Sequence, residues 1–162
     1  MILYHGSYTA VMNPAVNFGR KEVDFGQGFY LTRLKGQATK WAKFVAGRKP
    51  GQKAVLNTYA LDLASVTPHK YRFKIFKKYD LDWLAYVVDC RNGGRLQKKY
   101  DLVEGGVAND NVIDTVEDFE NGIITSQQAL GQLRYKKINH QICIHNQEIV
   151  DKYLHFKRAI II

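Results

Sequence analysis

Strand-forming segments crowd the two ends of this chain and helix-forming segments fill its middle, and that order limits the fold more than any single motif. Residues 2–5 alternate as a short opening strand, and a long loop rich in turn formers, 13–28, leads to a second strand over 29–32. Residues 36–45 set Ala38, Trp41, Ala42 and Val45 at helical spacing, with Gly47 and Pro50 to end the helix. Residues 54–61 read as a strand. The spacing then predicts helices over 80–89, 112–119 and 126–133, the last opened by Thr125 and Gln128 at capping-box spacing. A short strand at 102–103 precedes the Gly105-Gly106 turn, and strands over 141–145 and 153–162 close the chain. The expected fold is one α+β domain whose terminal strands meet in a central sheet.

At 162 residues the chain has the length of one domain. Its 46 % hydrophobic and 24 % charged residues exclude a disordered tail, a collagen-like rod and a disulfide scaffold. No apolar run approaches the roughly 20 residues that span a bilayer, so no membrane partner is expected. The start, Met-Ile-Leu-Tyr-His-Gly, has neither the charged nor the apolar region of a secretory signal, and the expected location is cytoplasmic. Two cysteines, Cys90 and Cys143, suit buried reduced thiols there.

The net charge of +9 is unevenly spread. Residues 33–53 carry Arg33, Lys35, Lys40, Lys43, Arg48, Lys49 and Lys53 with no acid, whereas 101–124 carry seven acids and no base. Such a bias favours anionic company, whether nucleic acid, a phosphorylated cofactor or an acidic protein. Beyond His140 and His145 on a strand no ligand pair stands at zinc spacing, and a P-loop and a Rossmann context are missing; no helix directly follows the glycines at 26 and 28, and no metal is expected.

Three segments combine chemistry-bearing residues. Leu3-Tyr4-His5-Gly6-Ser7 ends the opening strand. Asp24-Phe25-Gly26-Gln27-Gly28-Phe29-Tyr30-Leu31-Thr32 is a glycine-rich loop running into a strand. Gln141-Ile142-Cys143-Ile144-His145 sets Gln141, Cys143 and His145 on one strand face.

In order and spacing these segments resemble the ADP-ribosyltransferase superfamily, in the His-Tyr-Glu branch that includes poly(ADP-ribose) polymerases and diphtheria toxin. His5-Gly6-Ser7 is similar to the first motif of that branch and Gly28-Phe29-Tyr30-Leu31 to the second. Trp41, eleven positions beyond Tyr30, stands where the polymerases carry an aromatic that stacks on nicotinamide. The whole chain also resembles a bacterial ADP-ribosyltransferase-like family of otherwise unknown function. It shares the Asp24–Thr32 run, a Gln-Ala-x-x-Trp-Ala run and Val107-Ala108-Asn109-Asp110; members look like toxins encoded beside a small antitoxin.

The resemblance implies an ADP-ribosyltransferase-like fold with two small central sheets forming an NAD cleft, and NAD as substrate. It implies catalytic roles for His5, Tyr30 and Gln141, and NAD contacts from His5, Gly6, Ser7, Gly28, Tyr30, Trp41, Asn109 and Asp110. The nicotinamide–ribose bond breaks through an oxocarbenium-like state with an already cationic leaving group, so positioning matters more than general acid catalysis. A histidine can bond a ribose hydroxyl, a glycine backbone can reach the carboxamide, and two aromatics can sandwich the cationic ring. Gln141 departs from the family's usual glutamate: an amide bonds a hydroxyl but brings no charge and is no base. Single transfer to a nucleophilic macromolecular acceptor is therefore expected, with His140 and Asp110 as candidate bases. The basic segment 134–140 points to an anionic acceptor, and a small acidic antitoxin is the partner the resemblance implies. An NAD glycohydrolase and a non-catalytic nucleic-acid-binding module are the alternatives.

Overall fold

The structure is a computed structural model that describes residues 1–66, 69–108, 112–134, 136 and 139–162. Among these residues the chain runs β1 (Ile2–Ser7), β2 (Phe29–Leu31), α1 (Lys35–Gly47), β3 (Val55–Leu61), β4 (Phe73–Ile75), α2 (Leu81–Arg91), β5 (Leu102–Gly105), α3 (Ile113–Glu120), α4 (Ser126–Leu133), β6 (Gln141–Ile144), α5 (Gln147–Tyr153) and β7 (Leu154–Ile161). The class is α+β, with two small sheets. One sheet has the antiparallel order β1-β3-β7; the other, β2-β6-β5-β4, is antiparallel except for the parallel pair β4/β5. The terminal strands thus share a sheet without touching: β3 lies between them.

Strand alternation explains the layering. Leu3, Tyr59 and Leu61 from the first sheet share one core with Phe29, Leu31, Ile142 and Ile144 from the second, closed by Ile149 and Val150 of α5. The opposite face of the second sheet presents Val103, Cys143 and the partly buried Tyr30. There α2, α3 and α4 cover it with Trp83, Leu84, Val87, Val116 and Leu133. Helix α1 covers the outer face of the first sheet with Ala38, Ala42 and Ala46, each four residues on. A Cβ at Gly6 would overlap the Ala38 carbonyl and the Ala42 amide, so the missing side chain lets α1 seat directly on β1.

Helix ends follow local chemistry. Thr125 and Gln128 form the expected capping box on α4, and the Asp80 side chain accepts from Trp83 N–H to cap α2. Both cysteines are buried and unpaired. Among the described residues no helix is long and apolar enough to cross a membrane.

Candidate functional site

Among the described residues the backbones of the two sheets are bridged at one point. Tyr4 exchanges backbone hydrogen bonds with Thr32, at 2.8 and 2.9 Å, in an isolated bridge. A continued ladder would pair Gly6 with Tyr30. Instead the Tyr30 carbonyl takes a bond from His5 Nδ1 at 2.8 Å, and β1 and β2 part company there. Alternation turns the N–H and C=O of Gly6 the same way as those of Tyr4, away from β3 and into this split. Because a carbonyl can only accept, Nδ1 carries the ring proton, and burial lowers the His5 pKa despite the bond from Nδ1. The ring is neutral at pH 7 and keeps a lone pair on Nε2. The Phe29 ring, 4.7 Å away between centroids, holds it in place.

Tyr30 and Gln141 lie on the opposite face of the second sheet, in adjacent strands. Tyr30 pairs with Cys143, and Gln141 is two residues before Cys143 on the same face. Both side chains are tied to the loop before β2. Tyr30 Oη donates to the Gly26 carbonyl at 2.7 Å and accepts from Phe25 N–H at 3.0 Å. Gln141 Nε2 donates to Asp24 Oδ2 and to the Gly106 carbonyl, both at 3.2 Å. Two acceptors on one nitrogen fix the amide orientation and leave Oε1 as its accepting end.

Asp24, the first residue of the glycine-rich run, is the centre of this arrangement. It is buried, and its carboxylate also accepts from Ala108 N–H at 2.8 Å and pairs with Arg91 at 3.3 Å. Burial raises its pKa against the opposing pull of Ala108, Gln141 and Arg91. Burial likewise pushes the Tyr30 phenol and the Cys143 thiol well above their ordinary values, with Asp24 adding to the shift at Tyr30; both stay neutral. The Asp24 carboxyl therefore stands directly behind the amide of Gln141. Sequence carried no local signal for this, since the partners of Asp24 are 67, 84 and 117 residues away.

A second polar cluster starts beside Gln141 and faces the other way. His140 Nδ1 accepts from Arg33 N–H at 3.1 Å, and Nε2 lies 3.0 Å from Glu104, which also pairs with Arg33 at 2.9 Å. Gln37 of α1 bonds the His140 backbone on both sides, at 2.8 and 3.3 Å. With Nδ1 accepting from Arg33 and Nε2 donating to Glu104, both ring nitrogens of His140 have partners. The bond from His140 is the chief reason that the Glu104 pKa is lowered.

Residues 1–156 match a family described as a protein of unknown function, DUF3990. The chain belongs to that family. No curated protein and no solved structure matches it. The matched span takes in β1 through α5, and with them every residue of both polar clusters in this DUF3990 protein.

The other expected contacts are placed less centrally. Ser7 Oγ accepts from Thr9 N–H at 3.3 Å. A Cβ on Gly28 would meet Cys143 Sγ and, at 2.7 Å, the Ile144 carbonyl, so this glycine lets the loop lie against β6. Trp41 is exposed on α1 and stacks on Phe44 rather than pointing into the sheet. Asn109, Asp110 and Lys137 lie outside the described residues. Lys136 and Arg134 border a depression of about 320 Å³ with Lys78, Tyr79 and Leu133, beside α4. His145 is structural: Nδ1 lies 3.0 Å from both the Gln97 and the Tyr100 carbonyls.

Proposed function

We propose that this DUF3990 protein is an NAD-dependent mono-ADP-ribosyltransferase whose two sheets frame an NAD cleft. The observation that carries the reading is the split between β1 and β2. The Gly6 N–H and C=O face into it, His5 stands at its base with Nε2 free to accept, and the Tyr30 backbone closes the other side.

These groups fit NAD. A primary carboxamide needs one acceptor and one donor, which is what a strand residue's C=O and N–H offer. A ribose hydroxyl can donate to His5 Nε2 and another to Gln141 Oε1. The C1′–nitrogen bond of NAD breaks, nicotinamide leaves with the bonding pair, and an acceptor heteroatom bonds C1′ and gives its proton to solvent or to a group of its own. The developing positive charge on the sugar is what a glutamate at the third position would face. Here Asp24 supplies the charge from behind Gln141, and the amide relays it as a dipole whose oxygen end points away from the carboxylate. A buried carboxylate one residue removed stabilises charge but cannot take the acceptor's proton, so the acceptor must be nucleophilic without help. Single transfer follows from that. The role as the toxin of a toxin–antitoxin pair, restrained by a small acidic protein, rests on the family resemblance.

Incubation with NAD labelled in the ADP-ribose portion and a cell lysate tests the reading, with His5→Ala and Gln141→Ala beside the wild type. Label on macromolecules, lost in both variants while their circular dichroism is native, is the expected result. Free ADP-ribose and nicotinamide without labelled macromolecule would replace it by NAD hydrolysis, and absence of turnover in folded wild type would overturn it.

A further inference from the structure

The exposed face of α1 carries what neither polar cluster uses. Trp41, Phe44 and Arg48 are spaced by three and four residues, which sets them in one stripe along the helix. The indole stacks on the Phe44 ring, centroids 5.2 Å apart and 30° from parallel, and the Arg48 guanidinium lies over the Phe44 ring, 3.9 Å from its centroid. Both rings are 46 % exposed, and among the described residues Phe44 is the one ring that packs on Trp41. Lys40 and Lys43 stand exposed beside them. From residue 33 to 53 there is no acid, and among the described residues Lys40, Lys43, Arg48 and Lys49 make no ion pair.

We propose that this face of α1 binds single-stranded nucleic acid, a base stacking on the Trp41–Phe44 pair while Lys40, Lys43 and Arg48 engage the flanking phosphates. Flat rings held open by cations, with no hydrogen-bond pattern to read an edge, are the components of sequence-tolerant single-strand binding. An acidic peptide would satisfy the cations but leave the stacked rings with nothing flat to cover them. Duplex would present phosphates alone, its bases already stacked on one another. As a binding surface the face stands independently of the transferase reading. As the docking face of an anionic acceptor it rests on that reading, and it supplies what the basic segment 134–140 was expected to supply.

The test is fluorescence anisotropy of 5′-labelled 12-nucleotide DNA and RNA single strands, titrated with the full chain in the absence of NAD, so that a failed transferase reading does not enter. Wild type is expected to bind single strands more tightly than the matching duplex. Log affinity should fall against log salt with a slope of about −2, the value for three neutralised phosphates on a single strand. Trp41→Ala should weaken binding about tenfold, the scale of one lost base–aromatic stack. Binding should also quench tryptophan emission, which reports Trp41 because Trp83, the second tryptophan, is fully buried. Lys40→Glu with Lys43→Glu should abolish binding in protein that melts like wild type. Equal affinity for duplex, or Trp41→Ala binding as well as wild type, would reduce the face to unspecific charge and overturn the proposal. No binding at low salt would overturn it as well.

Discussion

The Asp24 cluster and the exposed stripe of α1 treat their partners in opposite ways. Around Asp24 each donor meets an acceptor inside the protein: Ala108 N–H, Gln141 Nε2 and Arg91 all converge on one buried carboxylate. On α1 the rings and cations meet solvent and one another. The first region is therefore part of the fold as well as of the candidate site, whereas the second adds little to the fold. On the other side of the same helix Ala38 and Ala42 seat α1 on β1 at Gly6, and Ala46 packs with Ala54. The difference teaches which measurement can report on which region. Stability reads the Asp24 cluster, and binding reads the stripe.

The largest effect is expected from Asp24→Ala. It leaves the partly buried Ala108 N–H without its acceptor, takes one of two acceptors from the buried Gln141 amide, each loss worth on the order of 1–3 kcal/mol, and opens a small cavity. Part of that loss is offset, because the variant no longer desolvates a charge and Arg91 can turn to Glu117, 3.5 Å from its guanidinium. A net loss of about 3 kcal/mol is expected in denaturant unfolding, close to 10 °C in Tm for a chain of this size. A loss under about 0.5 kcal/mol would mean that the cluster does not hold the loop before β2, and the contrast with α1 would collapse.

Two carboxylates sharpen the contrast through pH. Burial raises the Asp24 pKa, so the folded protein binds that proton more tightly than the unfolded chain. The Asp24 contribution to stability therefore rises as pH falls from neutrality toward the ordinary carboxylate value. Glu104 has the opposite sign. Its pKa is lowered by His140 and Arg33, so its contribution is complete above about 4.5 and is lost as pH falls further. In unfolding measured from pH 7 to pH 3.5, the deficit of Asp24→Asn against wild type should widen on acidification. That of Glu104→Gln should shrink below about pH 4.5. Parallel curves for the two variants would show that the environments do not differ in the way the hydrogen bonds describe.

Much of the fold was legible because its signals are local. The capping box at Thr125 and Gln128, the alternation in the first strand and the glycine-ended first helix each need only a few residues, and each matches the structure to within a residue or two at most bounds. What escaped was short or non-local. β4 is a three-residue edge strand whose Phe73 and Ile75 are both substantially exposed, so no buried face marks it. α5 spans seven residues and runs straight into β7, and its helical spacing has too few turns to register. At the site, His5, Tyr30 and Gln141 could be found from motifs, while Asp24 could not, because its significance is its depth and its distant partners. Trp41 is placed by a different balance. Apolar residues at helical spacing read as one core stripe, yet the packing surface is the alanine row, which Gly6 allows to approach closely, and the larger rings are turned outward.

That outward turn gives the smallest expected effect. Phe44→Ala removes a stacked pair worth roughly 0.5–1.5 kcal/mol when well packed, but here the rings are near half exposed and the value belongs at the low end. Alanine in turn returns about 0.5 kcal/mol, because an aromatic loses side-chain freedom against the preceding helical turn and alanine has none to lose. The two terms nearly cancel, and the stability of Phe44→Ala should lie within about 0.5 kcal/mol of wild type in the same denaturant experiment that detects Asp24→Ala. A loss above about 1.5 kcal/mol would mean that the stripe is a piece of the core seen edge-on. Its rings would then be held by packing rather than kept for a partner, and the two regions would differ only in degree.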